Sequence, residues 1–188
     1  MKQWLRGYAG NTPLEQIAAG AEYAISAVST AMGGSDLPRL QLVRSIAAAV
    51  GAPQTQTYEL WWAAALEEFR KKNPAEPNSP LEEFGQALQL AMLRADFGPG
   101  DVLTRMQQVA RAGEFGIAPM SRATLSRMLV GATLPREEQM DLFFRSLIIS
   151  DRELKVLWAR YQSVSMALEI VKSAKRRGWL TKTMDVTA

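Results

Sequence analysis

Apolar positions recur along this chain at intervals of three and four. Leu14, Ile17, Ala18 and Ala21 form one such set, and Leu40, Val43, Ile46, Ala47 and Val50 form another. Phe84, Leu88, Ala91 and Met92 repeat the pattern in the second half, as do Met140, Phe143, Phe144 and Leu147. That spacing puts each set on one face of an α-helix. Period-two alternation is scarce and β-branched residues do not cluster, so no strand is predicted. Turn formers stand between the sets: Gly10–Pro13, Gly33–Asp36, Gly51–Pro53, Gly98–Gly100 and Gly131–Thr133. The expected fold class is all-α, built from helices of roughly 7–13 residues, with one long exception at Asp151–Lys175.

The sharpest interruption is Asn73–Pro80, where Pro74, Pro77 and Pro80 rule out a continuous helix and stiffen the chain. It separates a predicted helix at Glu59–Lys72 from one at Leu81–Asp96. The expected organisation is therefore a module at 1–72, a Pro-rich linker at 73–80 and a second module at 81–188.

The two modules share a frame. Shifted by 97 positions, Ser29 falls on Ser126, Gly34 on Gly131, Leu37-Pro38-Arg39 on Leu134-Pro135-Arg136, and Leu60-Trp61 on Leu157-Trp158. Upstream, Leu5-Arg6 and Gly10 match Leu93-Arg94 and Gly98 at an offset of 88. The second copy absorbs the difference in a longer second helix and a longer turn at Gly113–Met120. Such self-similarity on punctuation and core positions predicts one architecture used twice.

Within each copy the pattern fits a helix-turn-helix. In the first, a helix through Ile17 and Ala18 reaches a turn at Ala21-Glu22-Tyr23, and a second short helix passes through Val28 and Ala31-Met32. A small residue at Ala18 lets the two helices approach, and the outer face of the second helix stays free. In the second copy, Ser121 is a good N-cap and Leu125, Met128 and Leu129 point inward. Arg122, Ala123, Ser126 and Arg127 then share the opposite face, and Gly131 closes the helix. Arginine suits guanine O6/N7, and Ser or Thr can meet phosphates or bases.

Composition narrows the chemistry. The chain of 188 residues has no Cys and no His. That excludes disulfide frameworks, zinc fingers, cysteine nucleophiles and histidine general bases. No carboxylate cluster suggests a metal, and no enzyme, cofactor or metal is expected. The formal charge is +3: residues 1–72 carry 7 basic and 6 acidic residues, and 81–188 carry 15 and 12. This mild excess is compatible with nucleic acid. No apolar run approaches the ~18 residues of a membrane span, and no signal peptide opens the chain. The chain reads as cytoplasmic, at the nucleoid where DNA is its partner.

The run Ser-Arg-Ala-Thr-Leu-Ser-Arg-Met-Leu-x-Gly-x-x-Leu-Pro-Arg at 121–136 resembles the recognition-helix region of XRE-type, lambda-repressor-like regulators of the actinobacterial or phage branch. Ala24–Arg39 resembles it more weakly, and the two matches together cover most of residues 5–162. The resemblance implies two tandem five-helix domains. It also implies a sequence-specific regulator of double-stranded DNA, most often a repressor, with phage or mobile-element immunity as a plausible setting. It departs from that pattern in two places. Gly113–Met120 is long for the turn, and the first recognition helix, Ala24–Thr30, has no basic residue.

The expected DNA contacts are Ser121, Arg122, Ala123, Thr124, Ser126, Arg127 and Arg136 in the second module, with Ile25, Ser26, Ser29, Thr30 and Arg39 in the first. Ile25 can meet a thymine methyl. Arg39 and Arg136 follow prolines at helix starts, where a cation opposes the dipole unless it meets a phosphate. Lys175, Arg176 and Arg177, with Lys172 before them and Trp179 beyond, form either a dipole-matched helix end or a phosphate-binding arm. Trp61 and Trp158 are expected in the cores rather than as stacking platforms, and Trp62 between modules. The stripe Leu154, Leu157, Trp158, Tyr161, Val164, Leu168 and Val171 could instead support self-association. One chain is expected to occupy an asymmetric site as a monomer, with a homodimer as the other possibility. A linker of eight residues spans roughly 25 Å when extended. A helical protein–protein interaction module that keeps the fold without binding DNA is the competing reading.

Overall fold

Several helix starts are written into the chain as caps. The Ser79 hydroxyl accepts from the Glu82 amide at 3.2 Å, and Pro80 occupies the first helical position. The Asp101 carboxylate accepts from the Gly98 amide at 2.9 Å, just before Pro99. Ser150 and Glu153 form a reciprocal capping box, Glu153 N to Ser150 Oγ at 3.3 Å and Ser150 N to Glu153 Oε2 at 3.2 Å.

The computed structural model describes residues 1–113 and 117–177. The expected turn at Gly113–Met120 falls partly, and Trp179 wholly, outside the described residues. Among the described residues the protein is all-α: α1 (Lys2–Ala9), α2 (Leu14–Ala21), α3 (Ile25–Gly33), α4 (Leu40–Ala49), α5 (Gln54–Lys72), α6 (Pro80–Arg94), α7 (Pro99–Ala112), α8 (Arg122–Leu129), α9 (Glu137–Ser146) and α10 (Asp151–Arg176). The chain divides between Ala75 and Glu76 into two compact units of five helices each.

The helix bounds differ from the expected ones. α5 has 19 residues because Gln54 starts it ahead of the expected Glu59, and α7 has 14 because Pro99, expected in a turn, is its first residue. Pro80 is the first residue of α6 rather than the last of a linker. At its other end α6 stops at Arg94, short of the expected Asp96, because Asp96 turns left-handed (φ 57°) and Phe97 N bonds back to Met92 O at 2.9 Å.

The frame repeats in space. α3, α4 and α5 begin at 25, 40 and 54, and α8, α9 and α10 begin at 122, 137 and 151, each 97 positions later. In both units the first helix packs on the third, and the second on the third and fourth. The fifth helix differs: α5 lies chiefly on α4, and α10 lies on α6.

That difference changes which aromatic closes each unit. In the first, Trp61 is buried and its indole N–H donates to Pro38 O at 2.8 Å. In the second, Trp158 is only half-buried, edge-on to Phe144 with ring centroids 4.9 Å apart. Tyr161, one turn further on, takes the buried place and donates its hydroxyl to Pro135 O at 3.1 Å. Burial, with Glu137 and Glu138 nearby, pushes the Tyr161 phenol above its ordinary pKa and so keeps the donor protonated. Trp158 packs against the core as expected, but at its margin: the fully buried line of α10 is Leu157, Tyr161 and Val164. Of the stripe, Leu157, Tyr161 and Val164 are buried in the unit's own core and Leu154, Trp158 and Leu168 pack against it, while Val171 is exposed.

Two glycines test the backbone argument. Gly131 and Gly51 both sit at φ +71°. A Cβ on Gly131 would lie 2.5 Å from Glu82 Cα, whereas one on Gly51 meets nothing within 4 Å. Gly51→Ala should cost about 1–2 kcal/mol for the left-handed conformation alone. Gly131→Ala should cost about 2–5 kcal/mol, because overpacking against backbone adds to it. Urea unfolding of the two variants measures both; equal losses would refute the close approach of α6 to the end of α8.

Candidate nucleic-acid interface

In the first unit α2 and α3 are joined by three residues, Glu22, Tyr23 and Ala24. Glu22 is left-handed (φ 60°, ψ 36°), and the Glu22 and Tyr23 amides close α2 by bonding Ala19 O and Ala18 O at 3.2 and 3.1 Å. A three-residue connection is within the length a helix-turn-helix uses. In the second unit α7 ends at Ala112 and α8 begins at Arg122, so the connection is longer. The tight turn therefore belongs to the copy that resembles the motif less well in sequence.

α3 and α8 present equivalent faces. Val28, Ala31 and Met32 are buried in α3, and their equivalents Leu125, Met128 and Leu129 are buried in α8. Ile25, Ser26, Ser29, Thr30 and Gly33 are exposed, and so are Arg122, Ala123, Ser126, Arg127 and Val130. Ala27 and Thr124 are both half-buried. All nine positions agree in burial class at the 97-residue offset.

The ends of these helices are held in place. The Lys2 ammonium donates to Gly34 O and, at 2.7 Å, to Asp36 O, placing a cation at the C-terminal end of α3. Gln89 Nε2 donates to Leu129 O at 2.8 Å at the end of α8. Gly85 lies beneath the same turn, where an added Cβ would stand 2.6 Å from Leu129 O. An isolated glycine inside a helical pattern is the only sequence signal for that approach. Lys2 and Gln89 carry none.

The expected contact residues separate by environment. Arg122 and Arg127 are exposed, and among the described residues neither makes an ion pair or hydrogen bond. Arg136 is likewise exposed, as N-cap of α9 ahead of Glu137 and Glu138. Ser121 and Thr124 are already occupied: Ser121 Oγ accepts from Thr124 N at 3.1 Å, and the two hydroxyls are 2.9 Å apart. They build the helix start that aims Arg122. Arg39 is exposed as the N-cap of α4 and has a partner of its own. Ile25 is 47% exposed, with Ser26, Ser29 and Thr30 beside it. Lys175 and Arg176 are exposed in the last turn of α10, and Arg177 caps it.

A scan of protein-family models, a search of curated proteins and a search of solved structures find no match to this chain. No helix among the described residues is long and apolar enough to cross a membrane. No group of three His, Cys, Asp or Glu residues that could hold a metal is present among them.

An unpaired, exposed guanidinium contributes little to folding. Arg122→Ala and Arg127→Ala should therefore each leave the unfolding midpoint within about 0.5 kcal/mol of the parent. Ser121→Ala should cost about 1 kcal/mol by removing the cap. Chemical denaturation of the three variants separates the residues that build the helix from those it presents.

Proposed function

We propose that the protein is a sequence-specific regulator of double-stranded DNA that presents α8 and α3 to successive major-groove faces and represses by occupancy. The observation that carries this reading is the paired outer face. Two helices of equivalent position and burial leave their exposed residues unused by their own cores. One of them bears two arginines with no partner among the described residues. On α8, Arg122 and Arg127 read guanine edges or anchor to phosphates, Ala123 leaves room for backbone approach, and Ser126 adds a hydrogen bond. Ser121 and Thr124 hold the helix start in position. Arg136 anchors to a phosphate at the edge of the groove. On α3 the readout is uncharged: Ile25 meets a thymine methyl, and Ser26, Ser29 and Thr30 hydrogen-bond bases or phosphates. Arg39 and the cluster Lys175, Arg176 and Arg177 supply backbone contacts. Each chain reads an asymmetric stretch, because its two faces differ. Repression, the family assignment and a nucleoid location rest on the sequence resemblance.

One observation favours a second reading, a protein-interaction module. The exposed face of α3 carries no charge and is flanked by Glu22 and by the exposed ring of Tyr23.

Binding to duplexes selected from a random pool distinguishes the two. Arg122→Ala or Arg127→Ala should each cost about 1–3 kcal/mol on the selected site and relax one base position. Affinity should fall about 10³–10⁵-fold between 50 and 200 mM salt if roughly six to ten phosphates are engaged. A salt-insensitive association, or arginine variants that bind like the parent, would leave the protein-interaction reading.

A further inference from the structure

We propose that the groove between α6 and α10 is a binding site for a small amphipathic anion, a medium-chain aliphatic carboxylate. The two helices pack against each other within the second unit. Their facing sides leave an open groove of about 530 Å³. Small-molecule sites commonly occupy ~300–1,000 Å³ and are lined by apolar side chains with a few placed polar groups. The floor here is Ala91 and Leu157, both buried, with Ala87 and Leu90 half-buried beside them and Val156 exposed at the edge.

The charges around this floor select the occupant. An ion pair stands at each end of the groove, Arg94 with Glu153 at 2.5 Å and Arg160 with Glu83 at 3.7 Å. Between Glu83 and Arg94 the groove follows α6 for about 16 Å. The Glu153 carboxylate is fully engaged, since it also accepts from the Ser150 hydroxyl at 2.8 Å. Arg94 and Ser150 hold it below the usual carboxylate range. Arg152 stands at the same end and makes no ion pair or hydrogen bond among the described residues. Three arginines against two glutamates leave the groove one positive charge in excess, and Arg152 carries it.

A carboxylate on Arg152 matches that charge through a bidentate, charge-assisted pair. Its chain then runs over Val156, Leu90 and Ala87 toward Arg160, about 12 Å along α10. No aromatic ring lines the groove, so an aliphatic chain finds contacts there and a ring finds no stacking partner. An ammonium head would add to the positive excess, and an uncharged head would leave Arg152 unmatched. α6 is shared with the presented face of this unit: Gly85 and Gln89 meet the end of α8, while Ala87 and Leu90 line the groove. An occupant therefore packs on the helix that holds α8 in place.

The test uses the full chain without DNA, so its outcome is separate from that of the DNA-binding reading. Titration calorimetry with octanoate, kept below its micellar range, should show one saturable site per chain. Octanol and octylammonium should each bind at least about tenfold more weakly. Arg152→Glu should weaken octanoate by about tenfold or more, and Arg152→Lys should keep most of the affinity. Val156→Glu should abolish binding by placing a carboxylate in the groove. Ile170→Glu, also exposed on α10 but outside the groove, should leave it unchanged. All four variants should keep the helical circular dichroism of the parent, since the residues replaced are exposed. Absence of saturable binding up to millimolar octanoate overturns the proposal. So does octanol binding as tightly as octanoate, or binding indifferent to Arg152→Glu. Equal losses in Val156→Glu and Ile170→Glu would show adsorption along the helix and overturn the site.

Discussion

Both units turn on one backbone carbonyl. Pro38 and Pro135 lie between the third and fourth helices, where the chain has just left the presented helix and must reverse. An acceptor drawn into the interior there costs free energy unless a donor reaches it. The fifth helix supplies that donor in each unit, as an indole N–H from Trp61 or a phenol O–H from Tyr161. The bond ties the last helix to the exit of the presented one, so the outer face of α3 or α8 is fixed relative to the body that carries it. The rest of each unit follows from this closure: the packing of the second helix on the third and fourth, and the cation or amide that holds the end of the presented helix.

The two solutions to that problem explain how the copies have separated. In the first unit α5 lies on α4 and the indole arrives from the position equivalent to Trp158. In the second, α10 lies on α6, and the ring that reaches the carbonyl moves one turn along the helix. The displaced Trp158 is retained as an edge-on neighbour of Phe144 and Tyr161. On the outer side of α10, Val156, Met166 and Ile170 remain exposed.

Much of this was legible in the sequence, and the exceptions have physical causes. The apolar spacing located the all-helical content and most of the buried positions, and the 97-residue offset anticipated where three pairs of helices begin. Helix ends were less legible, because Gln54 and Pro80 extend helices beyond their apolar stripes and a left-handed Asp96 ends one early. The Leu-Trp identity suggested equal roles for Trp61 and Trp158, but an identity in register says nothing about how far a helix has rotated on its neighbour. Arg122 and Arg127 were visible as an exposed pair. The Ser121 cap was legible, and the Thr124 hydroxyl that stands 2.9 Å from it was not. The supports at Lys2, Gln89 and Gly85 were invisible, since each acts through a backbone atom distant in sequence.

The division of labour on α3 and α8 has a further consequence. The residues that hold these helices in place, Val28, Ala31 and Met32 or Leu125, Met128 and Leu129, are not the ones they display. Exchanges among the displayed residues are nearly free of folding cost, so the two faces can be rewritten independently on an unchanged frame. Ile25 against Arg122, and Thr30 against Arg127, are such exchanges: equivalent exposed positions on one repeated frame that carry an apolar or hydroxyl side chain in one unit and a cation in the other.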